Sequence, residues 1–270
     1  MRAYRVAYDG GPYYGFQRQP DVTTVEDTIL DALRALDVLG DDEDTPPGYA
    51  AAGRTDAGVS ARAQTIAFEA PDWLTPAALN SELPTDVRAW ASADAPEDFH
   101  ATHDATSRTY TYYLYAPDAS DKRAREALDA LAGEHDFHNL TPDEDGTVRT
   151  LSTELDRDGP FLVVELTAGG FARQLVRRAV AVVAEIARGE ATLDRVETVL
   201  SERALSGPAG VAPAPPEPLV LTDVRYPGVR FAVDDAAATS ARDVFEQRQV
   251  EHARRARVAD VLADCGDDTA

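Results

Sequence analysis

Lysine is almost missing from this chain: Lys122 is the only one among 26 Lys and Arg, and the rest are arginine. Cysteine occurs once, at Cys265, which excludes an internal disulfide and a cysteine-based zinc site. No apolar run approaches the length of a membrane span, and the opening MRAYRVAYDG lacks the apolar core of a secretory signal. Phosphate-cradling glycine loops of both nucleotide-binding patterns are missing, and so is a G-x-S-x-G elbow. ATP, NAD and serine-hydrolase chemistry thereby lose their main support. The expectation is a soluble, cytoplasmic protein with no membrane partner. Its 270 residues, 44% of them hydrophobic, provide core for two ordinary domains.

Positive charge is scarce as well. Asp and Glu total 48 against 26 Lys and Arg, a net of −22. Such a surface repels itself in dilute salt and is a lever associated with halophiles. At about 1 M salt the Debye length is roughly 3 Å, and the repulsion is screened. The acids are spread along the chain instead of gathered in one cation-binding tail. The composition points to a salt-loaded cytoplasm.

What is present falls into a pattern used twice. In AYRVAY (3–8) Tyr4, Val6 and Tyr8 alternate as in a half-buried strand. Thr23 with Glu26 forms a capping box that opens an amphipathic helix through Val25, Ile29, Leu33 and Leu36. A short strand at YAAAG, a strand near AQTIAFEA, a helix opened by Thr75 and Pro76, and a strand around DVRAWASA follow. The order is β-α-β-β-α-β, the ferredoxin-like split unit. The second half repeats it: the strand RTYTYYLY (108–115), a helix over 121–133, and a hairpin of VRTLSTEL and FLVVELT around DRDGP. A strong helix over 171–189, another near 192–203, and the closing strand PLVLTDVRY complete it. The fold expected is α+β: two ferredoxin-like halves, 1–96 and 97–231, in one extended, mostly antiparallel sheet with helices on one face and a central cleft. Residues 232–270 fit neither half and read as a charged helix with an acidic end, either a solvated appendage or a partner-binding helix.

Among candidate functional residues, His100 with His103 and His135 with His138 form two H-x-x-H pairs. Both lie in loop-like sequence, where nothing presets ligand geometry, so no metal site is expected. Arg173 and Arg177, four apart, are expected to share one helical face, and Tyr110 and Tyr112 one face of a strand. In AAGRTDAGVSARAQ (51–64) one carboxylate, Asp56, stands at a glycine-bent corner two residues after Arg54. Turn chemistry alone accounts for an isolated D-x-G.

The order of these pieces carries more. YDGGPYYGFQRQPDVTTVEDTILDAL, AAGRTDAGVSARAQTIAF, DFHATHDATSRTYTYYLY, FLVVELTAGGFARQLVRRAV and APPEPLVLTDVRY resemble, in this order, the motifs of the TruA-type tRNA pseudouridine synthases over residues 3 to 231. The resemblance implies that Asp56 is the nucleophile, that Tyr110 stacks on the target uracil, that Arg177 positions the Asp56 carboxylate, and that Arg54 contacts RNA. It also implies no metal or organic cofactor, a homodimer, an RNA-binding central cleft, and action on the anticodon stem-loop at tRNA positions 38–40. Ser60 stands where the family usually has histidine, and the 232–270 tail lies outside the resemblance. The alternative reading is a non-catalytic RNA-binding module, since ferredoxin-like sheets with aromatics stack bases without chemistry. Such a binder has no use for a paired Asp56 and Arg177.

Overall fold

A computed structural model of the chain describes residues 1–263 and Cys265. In its first half, β1 (Arg2–Tyr8), α1 (Val25–Ala35), β2 (Ala50–Ala51), β3 (Ser60–Phe68), α2 (Pro76–Asn80) and β4 (Val87–Asp94) follow in sequence. Their strands lie in the order β4-β1-β3, with β2 paired to β3. The second half supplies β5 (Ser107–Tyr115), α3 (Asp121–Leu131), β6 (Gly133–Asp136), β7 (Val148–Asp158), β8 (Phe161–Ala168), α4 (Leu175–Arg188), α5 (Asp194–Val199) and β9 (Leu219–Arg225). Their order is β9-β5-β8-β7-β6, so β9, β5, β8 and β7 occupy the places of β4, β1, β3 and β2.

The two halves meet at one short parallel pairing. Ser60 lies beside Val220 and Ala61 beside Leu221, whereas every other pairing among the described residues is antiparallel. The joint exists because β2 is only two residues long and covers β3 at Ala67 and Ile66. That leaves the start of β3, the end next to Asp56, open to β9. Arg5 staples the joint from within: buried in β1, it donates to the Ala63 carbonyl at 3.0 Å, to Thr65 Oγ1 at 2.9 Å and to the Val224 carbonyl. Its guanidinium also lies 4.3 Å from the Phe231 ring centroid. A buried cation with its donors used in this way avoids most of the cost of leaving water.

Helix packing follows the apolar periodicity. Val25, Ile29, Leu30 and Leu33 of α1, and Leu175, Val176, Ala179, Val180, Val183 and Ile186 of α4, are all buried. Truncating one such leucine, Leu33→Ala, costs about 2–5 kcal/mol. Among the described residues no helix is long and apolar enough to cross a membrane.

Several local expectations are corrected. The cap of α1 is Thr24, not Thr23: its Oγ1 accepts from Asp27 N at 3.2 Å and donates to the Asp27 carboxylate at 2.6 Å. Glu26 instead accepts from the Arg18 backbone. The strong helix starts at Leu175, because Gln174 sits at φ 61 and breaks the run from Phe171. Arg173 therefore lies before the helix and shares no helical face with Arg177. The helix near 192–203 shrinks to Asp194–Val199, and the 121–133 helix ends at Leu131, since Gly133 at φ 95 turns the chain into β6. Beyond β9, β10 (Ala232–Val233) extends the sheet on β4, and α6 (Asp235–Ala263) starts with Ala237 and Ala241 buried. Arg248 of α6 pairs with Asp9, and residues 249–263 are exposed. Apart from Cys265, the acidic end at 264–270 lies outside the described residues.

Candidate active site

The Asp56 corner is shaped by the segment that follows β1. Gly10 approaches so closely that a Cβ there would lie 2.1 Å from the Val59 carbonyl oxygen. Gly15, at φ +95, would place a Cβ 2.8 Å from the Thr55 carbonyl. Only glycine fits both positions. With side chains out of the way, the two backbones bond directly: Phe16 N donates to the Thr55 carbonyl at 3.1 Å and Gly58 N to the Tyr13 carbonyl at 3.2 Å. Thr55 Oγ1 and the Tyr8 hydroxyl meet at 2.8 Å beneath the corner. Ser60 accepts from Gly10 N at 3.0 Å, so this small residue serves the same close approach. Gly58, at φ +80, completes the turn that presents Asp56.

The second half supplies the partner. Arg177, on the first turn of α4, donates from Nη1 to Asp56 Oδ2 at 3.1 Å and from Nε to the Ala214 carbonyl at 2.7 Å. The side chains are only 12% and 28% exposed, so the charges interact in a partly dry setting. One arm of the guanidinium thus bonds a single carboxylate oxygen while another holds a backbone carbonyl, and its charge faces that of Asp56.

Tyr110, on β5, is buried at 8% exposure and packs edge-on against Phe171 with centroids 5.2 Å apart. Burial pushes its phenol up to about 12; Arg108 pulls the other way and the Asp56 charge adds to the rise. Tyr110 therefore offers a neutral ring. The hydroxyl of Tyr112, its neighbour on the same face, donates to the Pro215 carbonyl at 3.1 Å.

Thr55, Asp56, Tyr110, Phe171 and Arg177 open onto one cleft of about 1590 Å³ between the halves. Its basic lining is Arg54, Arg108, Arg173 and Arg177, and its carboxylates are Glu26, Asp56 and Asp143. Arg54 is exposed, and Arg173 is tied to Asp143 at 3.3 Å. In a chain of net −22, four arginines against three carboxylates make the cleft a local exception.

Sequence reading passed over Arg108. This buried residue donates to the carbonyls of Ala52 at 2.6 and 2.9 Å, Thr102 at 2.7 Å and Gly169 at 2.5 Å. It thereby ties the strand before the Asp56 corner to two loops of the other half. The available signal was an arginine inside an otherwise aromatic strand. Of the histidine pairs, His100 lines the cleft, its ring 4.2 Å from that of His103, whereas His135 and His138 lie away from it, with His135 Nε2 3.0 Å from the Ala132 carbonyl. Among the described residues, no three or more His, Cys, Asp or Glu side chains gather as a metal site.

A family model described as tRNA pseudouridine synthase matches residues 127–227. The tRNA pseudouridine synthase A of Haloarcula marismortui is 63% identical over 273 residues, covering 98% of this chain and 99% of that protein. That of Natronomonas pharaonis is 62% identical, covering 97% and 99%, and that of Halobacterium salinarum 59%, covering 97% and 98%. These relatives come from halophilic archaea, in keeping with the acidic composition. The chain belongs to the tRNA pseudouridine synthase family and is a pseudouridine synthase, an isomerase.

Proposed function

We propose that this enzyme isomerises uridine to pseudouridine in the anticodon stem-loop of tRNA, at positions 38–40, with Asp56 as nucleophile. The observation that carries this reading is the Asp56–Arg177 pair at 3.1 Å, set in an arginine-bearing cleft beside the Tyr110 ring. The target uridine is stacked in RNA and must leave the stack at a cost of a few kcal/mol. Tyr110 returns part of that cost, since base stacking is worth about 1–3 kcal/mol. Asp56 attacks the sugar C1′, the N1–C1′ bond breaks, the freed uracil turns, and C5 bonds to C1′ as the carboxylate leaves. N1 ends with a proton and C5 gives one up, so no oxidant or cofactor enters the balance. The same carboxylate acting as base on the 2′ proton gives the glycal route; a primary isotope effect with 2′-deuterated uridine would favour that route over C1′ attack.

Arg54 is assigned to RNA beside the flipped nucleotide, which its exposure at the cleft supports. The acidic surface fits this use of the cleft: in molar KCl little counterion release remains, so shape, stacking and arginine hydrogen bonds carry recognition. A twofold homodimer holds the rest of the tRNA, and salt screening permits its assembly. Mapping pseudouridine in tRNA with and without the enzyme tests the reading. New pseudouridine confined to positions 38–40 supports it, and its absence there rejects it. Light scattering in molar KCl tests the dimer, which a mass of 29.1 kDa would rule out.

A further inference from the structure

One aromatic ring in the cleft stands clear of its neighbours. Tyr14 lines the cleft with 61% of its surface exposed. The other rings there are buried or already assigned: Phe16 is buried at 1%, Tyr110 takes the target uracil with Phe171 against it edge-on, and Tyr49 leans on Phe68 with centroids 6.5 Å apart. Among the described residues, no aromatic ring or arginine packs on Tyr14.

The backbone beneath this free ring is held tightly. Tyr14 N donates to the Thr23 carbonyl at 3.0 Å, and its own carbonyl accepts from Gln19 Nε2 at 2.9 Å. Val25 N donates to the Gly15 carbonyl at 3.1 Å and Glu26 N to the Phe16 carbonyl at 2.9 Å, which fixes the loop to the start of α1. A loop pinned at four points that still leaves a phenol ring in open space is a pre-organised surface, with little ordering entropy left to lose on binding.

Its position is defined by the next residue. A Cβ on Gly15 would lie 3.2 Å from Ala57 N and 3.3 Å from the Asp56 carbonyl carbon, so the Tyr14 backbone is one residue from direct contact with the corner. Arg54, also exposed, flanks the same corner. A nucleotide chain that delivers one base to Asp56 can lay a neighbouring base on this rim.

We propose that Tyr14 is a second stacking platform, which takes a nucleobase adjacent to the target uridine rather than the uridine itself. The inference rests on the tRNA reading above. Its physical sense lies in the salt: contacts to phosphate weaken steeply as salt rises, whereas stacking on a ring does not depend on counterion release. An enzyme of net −22 working in molar KCl gains more from an exposed ring than from another cation. Stacking also tolerates any base, as a platform beside target uridines at positions 38–40 requires.

The test compares wild type with Tyr14→Ala, Tyr14→Phe and Arg54→Ala on one tRNA, from low to molar KCl. Turnover is read as release of tritium from C5 of the target uridine. Tyr14→Ala should raise KM about tenfold, a factor within the range of base-stacking losses, with kcat and melting temperature unchanged and the rise persisting in molar KCl. Tyr14→Phe should match wild type, and the Arg54→Ala defect should shrink as salt rises. Independently of turnover, a stem-loop with 2-aminopurine next to the target uridine should be quenched on binding wild type but not Tyr14→Ala. An unchanged KM and equal quenching with Tyr14→Ala would overturn the platform while leaving the proposed function intact. A Phe variant as defective as the Ala variant would replace stacking by a hydroxyl hydrogen bond and overturn it as well. Wild type that forms no pseudouridine in tRNA would instead reject the underlying reading, and the platform with it.

Discussion

Arg177 reaches across the joint between the two halves of the sheet and donates to Asp56 at 3.1 Å while its Nε holds the Ala214 carbonyl at 2.7 Å. The carboxylate comes from the turn before β3, the guanidinium from the start of α4, and neither half contains the pair. The parallel pairing of β3 with β9 brings them together, since it places Ser60, four residues after Asp56, beside Val220.

Arg177→Lys keeps the charge and removes the fork. An ammonium cannot hold the Ala214 carbonyl and the Asp56 carboxylate in the same geometry. A misplacement of about 1 Å at a reacting group costs roughly a hundredfold, so kcat should fall by about that factor. Binding of tRNA should stay near the wild-type value. Kinetics showing a KM defect alone would mean that Arg177 serves binding and not the orientation of Asp56.

Tyr110 should work through its face. Its hydroxyl has no hydrogen-bond partner among the described residues, and burial keeps the phenol protonated up to about pH 12. Tyr110→Phe should therefore retain most activity. Tyr110→Ala should lose it and also destabilise the protein by about 3–5 kcal/mol through the cavity left against Phe171. Equal inactivity of both variants, at unchanged melting temperature for Phe, would assign the hydroxyl a proton-transfer role.

Gly10→Ala tests the close approach behind the corner. The added Cβ would meet the Val59 carbonyl oxygen at 2.1 Å, backbone against backbone, so one of the two segments has to move. Overpacking of this kind costs about 1–3 kcal/mol. The melting temperature should drop, and activity should fall because the corner shifts with it. A variant that melts and turns over like wild type would show that the approach is looser than described.

Much of this architecture was legible in the sequence. Both β-α-β-β-α-β units were readable because Tyr4, Val6 and Tyr8, and the stripe from Leu175 to Ile186, report their own periods. The Asp56–Arg177 pairing came from the family resemblance, since periodicity cannot connect residues 121 apart. What escaped was decided by tertiary context. Thr23 and Glu26 match a capping box in sequence, but the Arg18 backbone draws Glu26 away and Thr24 caps the helix through Asp27 instead. Strands β6 and β10 are short and lack an alternating apolar face, so only their partners define them. Gln174 carries no local mark of its left-handed backbone, which moved Arg173 off the helix. Arg108 reads as a charge that breaks a strand pattern until its carbonyl partners are seen.

Alkaline pH should unfold the enzyme in a defined window. Burial pushes Tyr4, Tyr13, Tyr110 and Tyr226 up to about 12 from 10.0. The unfolded chain loses these protons first, so stability from this source is complete below pH 10 and declines as pH rises from 10 to 12. Melting temperatures in molar KCl should fall through that range, with phenolate absorbance rising as the protein unfolds. A flat melting temperature up to pH 12 would contradict the burial of these four rings.

Asp56→Asn bears on the central claim most directly. The amide keeps the shape of the side chain and its turn, so folding should change by no more than about 1 kcal/mol and tRNA binding in molar KCl should match wild type. A nucleophilic role lost, by contrast, costs orders of magnitude in rate. The measurement is pseudouridine formed in tRNA per enzyme over time. The account predicts none detectable from a variant that melts and binds normally; turnover at even about a tenth of the wild-type rate, against the orders of magnitude expected for a lost nucleophile, would make Asp56 a turn residue and contradict the mechanism.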